Sequence, residues 1–467
     1  MIDKLLSKRD QEKYLIIKFI QQKGYNYITE EEVAETTGLS LKKIRNLTEQ
    51  IKEDSKAIYG ETNELHKALQ IKNRTYHKSL EYNPYNYFKF YLSNTLACQW
   101  LIKMYLEEDI ILESDAKGNR MTLSTIYRKW HTFQETMLSF NLKIVKTKQH
   151  LYRLDGDETT IRYIYYYIFM LLDYPVSISS ECEKLIFEPF YKAPLSSREG
   201  ELASVKIMLL ITLNRAKNYP INPDNRHDFS IIQLIHSKDQ FIEMFNTTSI
   251  KEQIPESDLN QELDFLYFFL NVENTYSYVT FDSETIGIFP FAENKYIQIT
   301  NDIYVYIYEK FDIQLNTNQL FSFYLNCYFA IRKREVFNSI VDFKLSEAIS
   351  RDYELFKKQI GDYQFEKHLS LKQLYIIIQP FLFQTKKQIK ILVINRNGEA
   401  VIETIEQMIK KSADFEPLFV KRISQKPDVI VTDGQTFGAK DIPTVCLSQI
   451  PNKVEIFEFI QTIENLL

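Results

Sequence analysis

Two helix-start signals flank a single helix stop near the amino terminus, and they leave that stretch little choice of fold. Thr29-Glu30-Glu31-Glu32 reads as a capping box, in which Thr29 caps the helix and Glu32 reaches back to it. The short helix that follows carries Val33 and Ala34 and stops at Gly38, and Ser40 can cap another helix from Leu41 to about Ser55. Before them, Gln11 to Gln22 places Tyr14, Leu15, Ile17, Phe19 and Ile20 in an apolar helix, with Gly24 as its stop. In the third helix Leu41, Ile44, Leu47 and Ile51 step by 3, 3 and 4 residues, which makes one buried stripe. The other face carries Lys42, Lys43, Arg45, Asn46 and Thr48, the positions from which a recognition helix meets phosphates and base edges. Ala34 is small enough to let two helices cross closely, so the spacing predicts a helix-turn-helix.

A second pattern of this kind lies further on. Tyr87 to Glu107 is strongly apolar with helical spacing, and Thr122 opens a long helix. Its stripe is Ile126, Trp130, Phe133, Met137 and Phe140. Ser124, Thr125, Tyr127, Arg128 and Lys129 complete the candidate DNA-facing set, and His131 and Thr132 also point away from the stripe. Asn141–Lys146 and Leu151–Leu154 then alternate as strands. Lys143, Lys146, Lys148 and Arg153 make the resulting hairpin basic, in the manner of a wing that touches the sugar-phosphate backbone. Polar residues Glu113 to Asn119 precede Thr122 without an Ala-x-x-x-Gly turn, so the positioning helix of this reader is the least defined element. His131 and His150 have no Cys or carboxylate at ligand spacing, and no metal site or cofactor is expected.

Charge supports the same division. Residues 1–150 hold 24 Lys and Arg against 19 Asp and Glu, residues 151–385 hold 22 against 32, and residues 386–467 hold 11 of each. A basic front on an acidic body suits a polyanion partner for the front. Only 11 glycines argue against an all-β chain, while 32 Phe and 31 Tyr can fill helical cores. The most apolar run, Ile164 to Leu172, ends at Asp173, well short of a membrane span. The start, Met1-Ile2-Asp3-Lys4, has no signal-peptide apolar region. Cys98, Cys182, Cys327 and Cys446 lack zinc-ligand or CxxC spacing, so reduced and mostly buried thiols in a cytoplasmic protein are expected, with Cys446 in a core.

Residues Ser124-Thr125-Ile126-Tyr127-Arg128, Phe140-Asn141-Leu142-Lys143-Ile144 and Leu154-Asp155-Gly156-Asp157-Glu158 with Ile161-Arg162 resemble the second winged-helix domain of the Mga family. These are transcriptional regulators of Gram-positive pathogens, with the anthrax toxin activator as a relative. The resemblance implies promoter binding by the first half, regulation of virulence or carbohydrate-related genes, and a homodimer formed through the C-terminal domain. It also implies two all-α phosphotransferase-regulated domains, whose histidines accept phosphate from phosphocarrier proteins of the sugar phosphotransferase system. The candidates are His227 beside Arg226, His236 on an apolar helix face, and His368 just before a helix capped by Ser370. Tyr219, after Arg215, stands where relatives often carry a histidine, which weighs against phosphorylation at that place.

Residues 158–385 read as about ten helices in two sets, and residues 386–467 as alternating strands and helices. The C-terminal module resembles an enzyme IIB domain, but Asn395 stands where such enzymes carry a phosphorylatable cysteine, so a noncatalytic sensor or assembly module is expected. The expected architecture is multidomain and mainly α: a helix-turn-helix at 1–65, a winged helix-turn-helix at 66–160, helical bundles at 161–283 and 284–385, and an α/β domain at 386–467. The expected function is non-enzymatic binding of double-stranded promoter DNA. Two other classes stay open: a phosphotransferase-system enzyme component and an RNA-binding antiterminator.

Overall fold

The computed structural model describes residues 2–22, 28–60, 69–72, 75–78, 83–147, 150–175, 199–222, 228–231, 238–246, 254–274, 294–311, 313, 315–337, 347–382, 388–395, 398–413, 415–433, 442–448 and 451–466. They are mainly helical and fall into two compact units, Met1–Ile377 and Ile378–Leu467.

The first unit opens with α1 (Lys8–Gln22), β1 (Ile28–Thr29), α2 (Glu30–Thr37) and α3 (Leu41–Tyr59). Both halves of the capping box form: Glu32 N–H donates to Thr29 Oγ1 at 3.2 Å, and Thr29 N–H donates to Glu32 Oε2 at 2.8 Å. Gly38 sits at φ +68°, and its N–H donates to the Ala34 carbonyl. Left-handed backbone favours glycine, and here it turns the chain into Ser40, the cap of α3. Ile16, Ile17, Ile20, Val33, Ile44 and Ile51 close the core with no measurable exposure.

A hairpin follows, β2 (Leu69–Lys72) and β3 (Thr75–Lys78), and β3 also pairs with β1 through Ile28 and Tyr76. The strand that precedes α2 therefore joins a three-stranded sheet ordered β1-β3-β2.

The apolar run read from Tyr87 to Glu107 is two helices, α4 (Pro84–Ser93) and α5 (Leu96–Tyr105), broken where Thr95 caps the second. Next come α6 (Leu112–Gly118), α7 (Leu123–Leu138) and the hairpin β4 (Lys143–Lys146) and β5 (Tyr152–Asp155). Trp100 packs edge-on against Trp130 at 5.0 Å and donates its indole N–H to Asp115, which locks α5 to α6 and α7. After Gly156, Asp157 caps α8 (Glu158–Leu172).

The rest of this unit comprises α9 (Glu199–Ala216), α10 (Lys238–Asn246), α11 (Leu259–Asn274), α12 (Lys295–Phe311), α13 (Thr317–Phe337), α14 (Glu347–Ile360) and α15 (Leu371–Leu382), which runs on past Ile377. Their cores are aromatic, as the composition leads one to expect. Tyr163 stacks on Phe337 at 4.3 Å, and Phe265, Phe268 and Phe269 surround the same ring.

The second unit is a parallel sheet of β6 (Gln388–Ile394), β7 (Glu416–Val420), β8 (Val429–Thr432) and β9 (Thr444–Cys446), ordered β7-β6-β8-β9. Helices α16 (Glu399–Ser412) and α17 (Lys453–Leu466) cover one face, where Ile405, Ile409, Phe459 and Ile463 meet Ile389, Ile391 and Val431. Leu392, Val420 and Ile430 form a smaller cluster on the other face. Cys446 corrects the expectation of a core thiol: on edge strand β9 it is exposed. Cys98 and Cys327 are buried, and burial pushes the Cys98 thiol up to about 12. Cys182 lies outside the described residues.

Candidate nucleic-acid interface

The two readers are built alike. In each, a small residue on the middle helix precedes by four positions a residue with left-handed backbone: Ala34 and Gly38 in one, Ala116 and Arg120 (φ +53°) in the other. In each, a hydroxyl two residues later caps the recognition helix, Ser40 to Lys43 N–H and Thr122 to Thr125 N–H. In each, the fourth residue after that cap, Ile44 or Ile126, anchors the helix with no exposure. The positioning helix that the sequence left undefined is α6, which buries Leu112 and Ala116. Its turn carried no glycine signal because Arg120 supplies the positive φ.

The exposed faces differ in charge. On α3, Lys42, Lys43, Arg45 and Asn46 are exposed. Lys43 is paired with Glu12 at 2.5 Å, and Arg45 Nε donates to Glu30 at 2.9 Å. Thr48 is a correction to the candidate set: it is 2% exposed, and its hydroxyl lies 2.6 Å from the buried Tyr76 hydroxyl. It joins α3 to the hairpin rather than facing DNA. On α7, Ser124, Tyr127 and Arg128 are exposed, while Thr125 and Lys129 are half-buried. Arg128 and Lys129 make no ion pair among the described residues. Tyr127 donates to Glu113 at 3.1 Å, and that bond raises its phenol pKa.

In the wing, Lys143 and Lys146 are exposed at the two ends of β4. Arg153 turns back instead, its guanidinium 5.3 Å from the Tyr219 ring. Lys148 lies outside the described residues. His131 is exposed, 3.5 Å from Glu135.

Gly156 fixes the end of the wing. Its φ is +147°, and a Cβ there would meet Leu142 Cδ2 at 2.7 Å and the Asn141 carbonyl at 3.2 Å. The following Asp157 accepts hydrogen bonds from Thr160 N–H and its hydroxyl at 2.9 and 2.8 Å. Glu158 then binds Arg162 at 2.9 Å and Arg215 at 2.6 Å, and Arg162 continues to Glu262. The motif that read as a family marker is thus a wing end, a helix cap and a buried ion network in succession.

Of the candidate regulatory histidines, His227 and His236 lie outside the described residues. His368 is half-buried beside Ser370, which caps α15 with reciprocal bonds to Gln373. Burial, aided by Lys367, lowers the His368 imidazole pKa. In the second unit Asn395 is buried at the end of β6, ahead of Gly398, where α16 starts.

Two helix-turn-helix units with exposed polar third helices, each followed by a β-hairpin, have the form of winged-helix domains. Residues 85–169 match the family model described as Mga helix-turn-helix domain, so the resemblance read from Ser124 to Arg162 is confirmed over that stretch. It is the domain of a family of DNA-binding transcriptional regulators. No curated protein matches the chain. Among the described residues no helix is long and apolar enough to cross a membrane.

Proposed function

We propose that this chain is a cytoplasmic, non-enzymatic transcription regulator that binds promoter duplex DNA through α3 and α7, with Lys143 and Lys146 on the flanking backbone. The observation that carries this reading is the α7 face. Ser124, Tyr127 and Arg128 project from the first turns of a helix anchored by Ile126 and Trp130, inside the stretch that matches the family model. Cations at the amino-terminal end of such a helix meet phosphates, and neighbouring hydroxyls reach base edges.

The proposal includes two finer elements. The α/β unit serves as a homodimer contact, and residues 161–283 and 284–385 act as phosphotransferase-regulated bundles that set when the dimer reads DNA. His368, partly accessible and with its imidazole pKa lowered by burial, is suited to accept a phosphoryl group from a phosphocarrier protein. An enzyme IIB role is disfavoured by Asn395, because an amide does not accept phosphate, and an RNA role by a helical front. Footprinting of the full chain on genomic fragments, beside a gel shift with hairpin RNA, tests the reading. Protected duplex segments are expected; preference for the hairpin would contradict it.

A further inference from the structure

A cleft of about 660 Å³ lies behind the second wing, between the hairpin Lys143–Asp155, the end of α5 and the end of α9. Lys146, Thr147, Tyr152 and Arg153 line it from the hairpin, and Asn218 and Tyr219 face them. Its size falls within the range of small-molecule sites.

Three observations give this cleft a chemical preference. First, Arg153 Nε and Thr147 Oγ1 are buried without a hydrogen-bond partner. Both are donors, and an unpaired buried donor is a cost that a ligand acceptor removes. Second, two cations, Lys146 and Arg153, line the cleft beside one carboxylate, Glu107, which already accepts from Asn218 Nδ2 at 3.2 Å, while Arg153 Nη2 lies a longer 3.8 Å from Asp155 and keeps its Nε toward the cleft unpaired. Third, Tyr152, Tyr219 and Met104 supply an apolar wall beside the charged end. Paired guanidinium, ammonium and hydroxyl donors suit tetrahedral oxyanions, and the adjacent wall suits a carbon skeleton.

We propose that this cleft binds a small organic phosphate, with the phosphate on Arg153, Lys146 and Thr147 and the organic part against Tyr152 and Tyr219. The site is wired to the rest of the fold. The Tyr219 carbonyl accepts from Arg162 Nη2 at 3.1 Å, and the Tyr219 ring lies 4.6 Å from the Arg215 guanidinium. Both arginines hold Glu158, three residues after the wing's last strand. A ligand clamped between Arg153 and Tyr219 therefore fixes the wing against the helices behind it.

Calorimetric titration of the full chain without DNA tests the site, so its outcome is independent of whether the chain reads promoters. Inorganic phosphate is the first probe, and a hexose phosphate and a nucleoside monophosphate are the second. One saturable site per chain is expected, with both esters or one of them binding tighter than inorganic phosphate. Arg153→Gln and Thr147→Val are each expected to weaken phosphate binding, the arginine change by about tenfold or more. Near-ultraviolet circular dichroism confirms that each variant is folded, and Thr147→Val, nearly isosteric, serves if Arg153→Gln is not. Absence of saturable phosphate binding throughout the millimolar range, or equal affinity in the folded variants, overturns the site. Esters that bind no better than inorganic phosphate overturn the organic half of the assignment.

Discussion

Arg162 and Glu262 form a bidentate ion pair with neither side chain exposed, across 100 residues of sequence. Arg162 also holds Glu158, which binds Arg215, so α8, α9 and α11 share one buried network. Removing one partner from such a pair leaves an uncompensated buried charge. Glu262→Gln should therefore destabilise the first unit by about 3–5 kcal/mol, read as a lowered denaturation midpoint. A change within about 0.5 kcal/mol would show that the network is dispensable.

Gly156 and Leu142 are too close for a side chain between them. Gly156→Ala places a Cβ 2.7 Å from Leu142 Cδ2 on backbone that L residues rarely adopt. The expected cost is about 1–3 kcal/mol in thermal or urea unfolding. A neutral outcome would mean that the wing end yields without loss.

Arg120 is the converse case. It occupies left-handed backbone in the turn of the second reader, with φ +53°. Arg120→Gly should be neutral to stabilising, by up to about 1 kcal/mol, because it removes a Cβ penalty while adding unfolded-state entropy. A loss of more than about 1 kcal/mol in the melting curve would contradict that turn geometry.

Glu30 restrains Arg45, a cation in the second turn of α3. Glu30→Gln should raise duplex affinity by up to about fivefold in a low-salt binding titration, because the guanidinium then loses its hydrogen-bonded carboxylate and keeps only the weaker pull of Glu31. Weaker binding would show that Glu30 orients Arg45 for its contact instead.

His368 has an imidazole pKa depressed by burial and by Lys367 and Arg334, with Glu335 opposing. Between its folded and unfolded values the unfolded chain binds more protons, so this group's contribution to stability rises with pH across that window. It is complete above the unfolded value and lost as pH falls through the folded one. An NMR titration should place His368 below the ordinary imidazole range, and Lys367→Gln should move it upward. A midpoint above that range would contradict the burial.

The first reader was legible because each of its signals is local: Thr29 with Glu32, Gly38, and the stripe from Ile44 to Ile51. Its hairpin was not, because pairing of Ile28 with Tyr76 is nonlocal and leaves no short-range pattern. Thr48 falls on the polar face by spacing yet is buried for the same reason, since its partner Tyr76 comes from that hairpin. The turn of the second reader was hidden by Arg120, a residue type that does not advertise positive φ. Strand and helix alternation in the second unit is readable from largely apolar runs such as Ile389 to Ile394. The exposure of Cys446 depends on β9 lying at the sheet edge, which spacing does not reveal. The partners of Lys43 and Arg45 come from other helices, so the charge difference between the two recognition helices became visible only in the fold.

The central claim is that α7 lies on duplex phosphate. Its most direct test is the salt dependence of duplex binding by the full chain and by a variant carrying Arg128→Ala with Lys129→Ala. Each lost phosphate contact should flatten the log–log slope by about 0.9, so the double variant should bind more weakly with a slope reduced by about 0.9–1.8. Identical affinity and identical slope in the two proteins would contradict the claim.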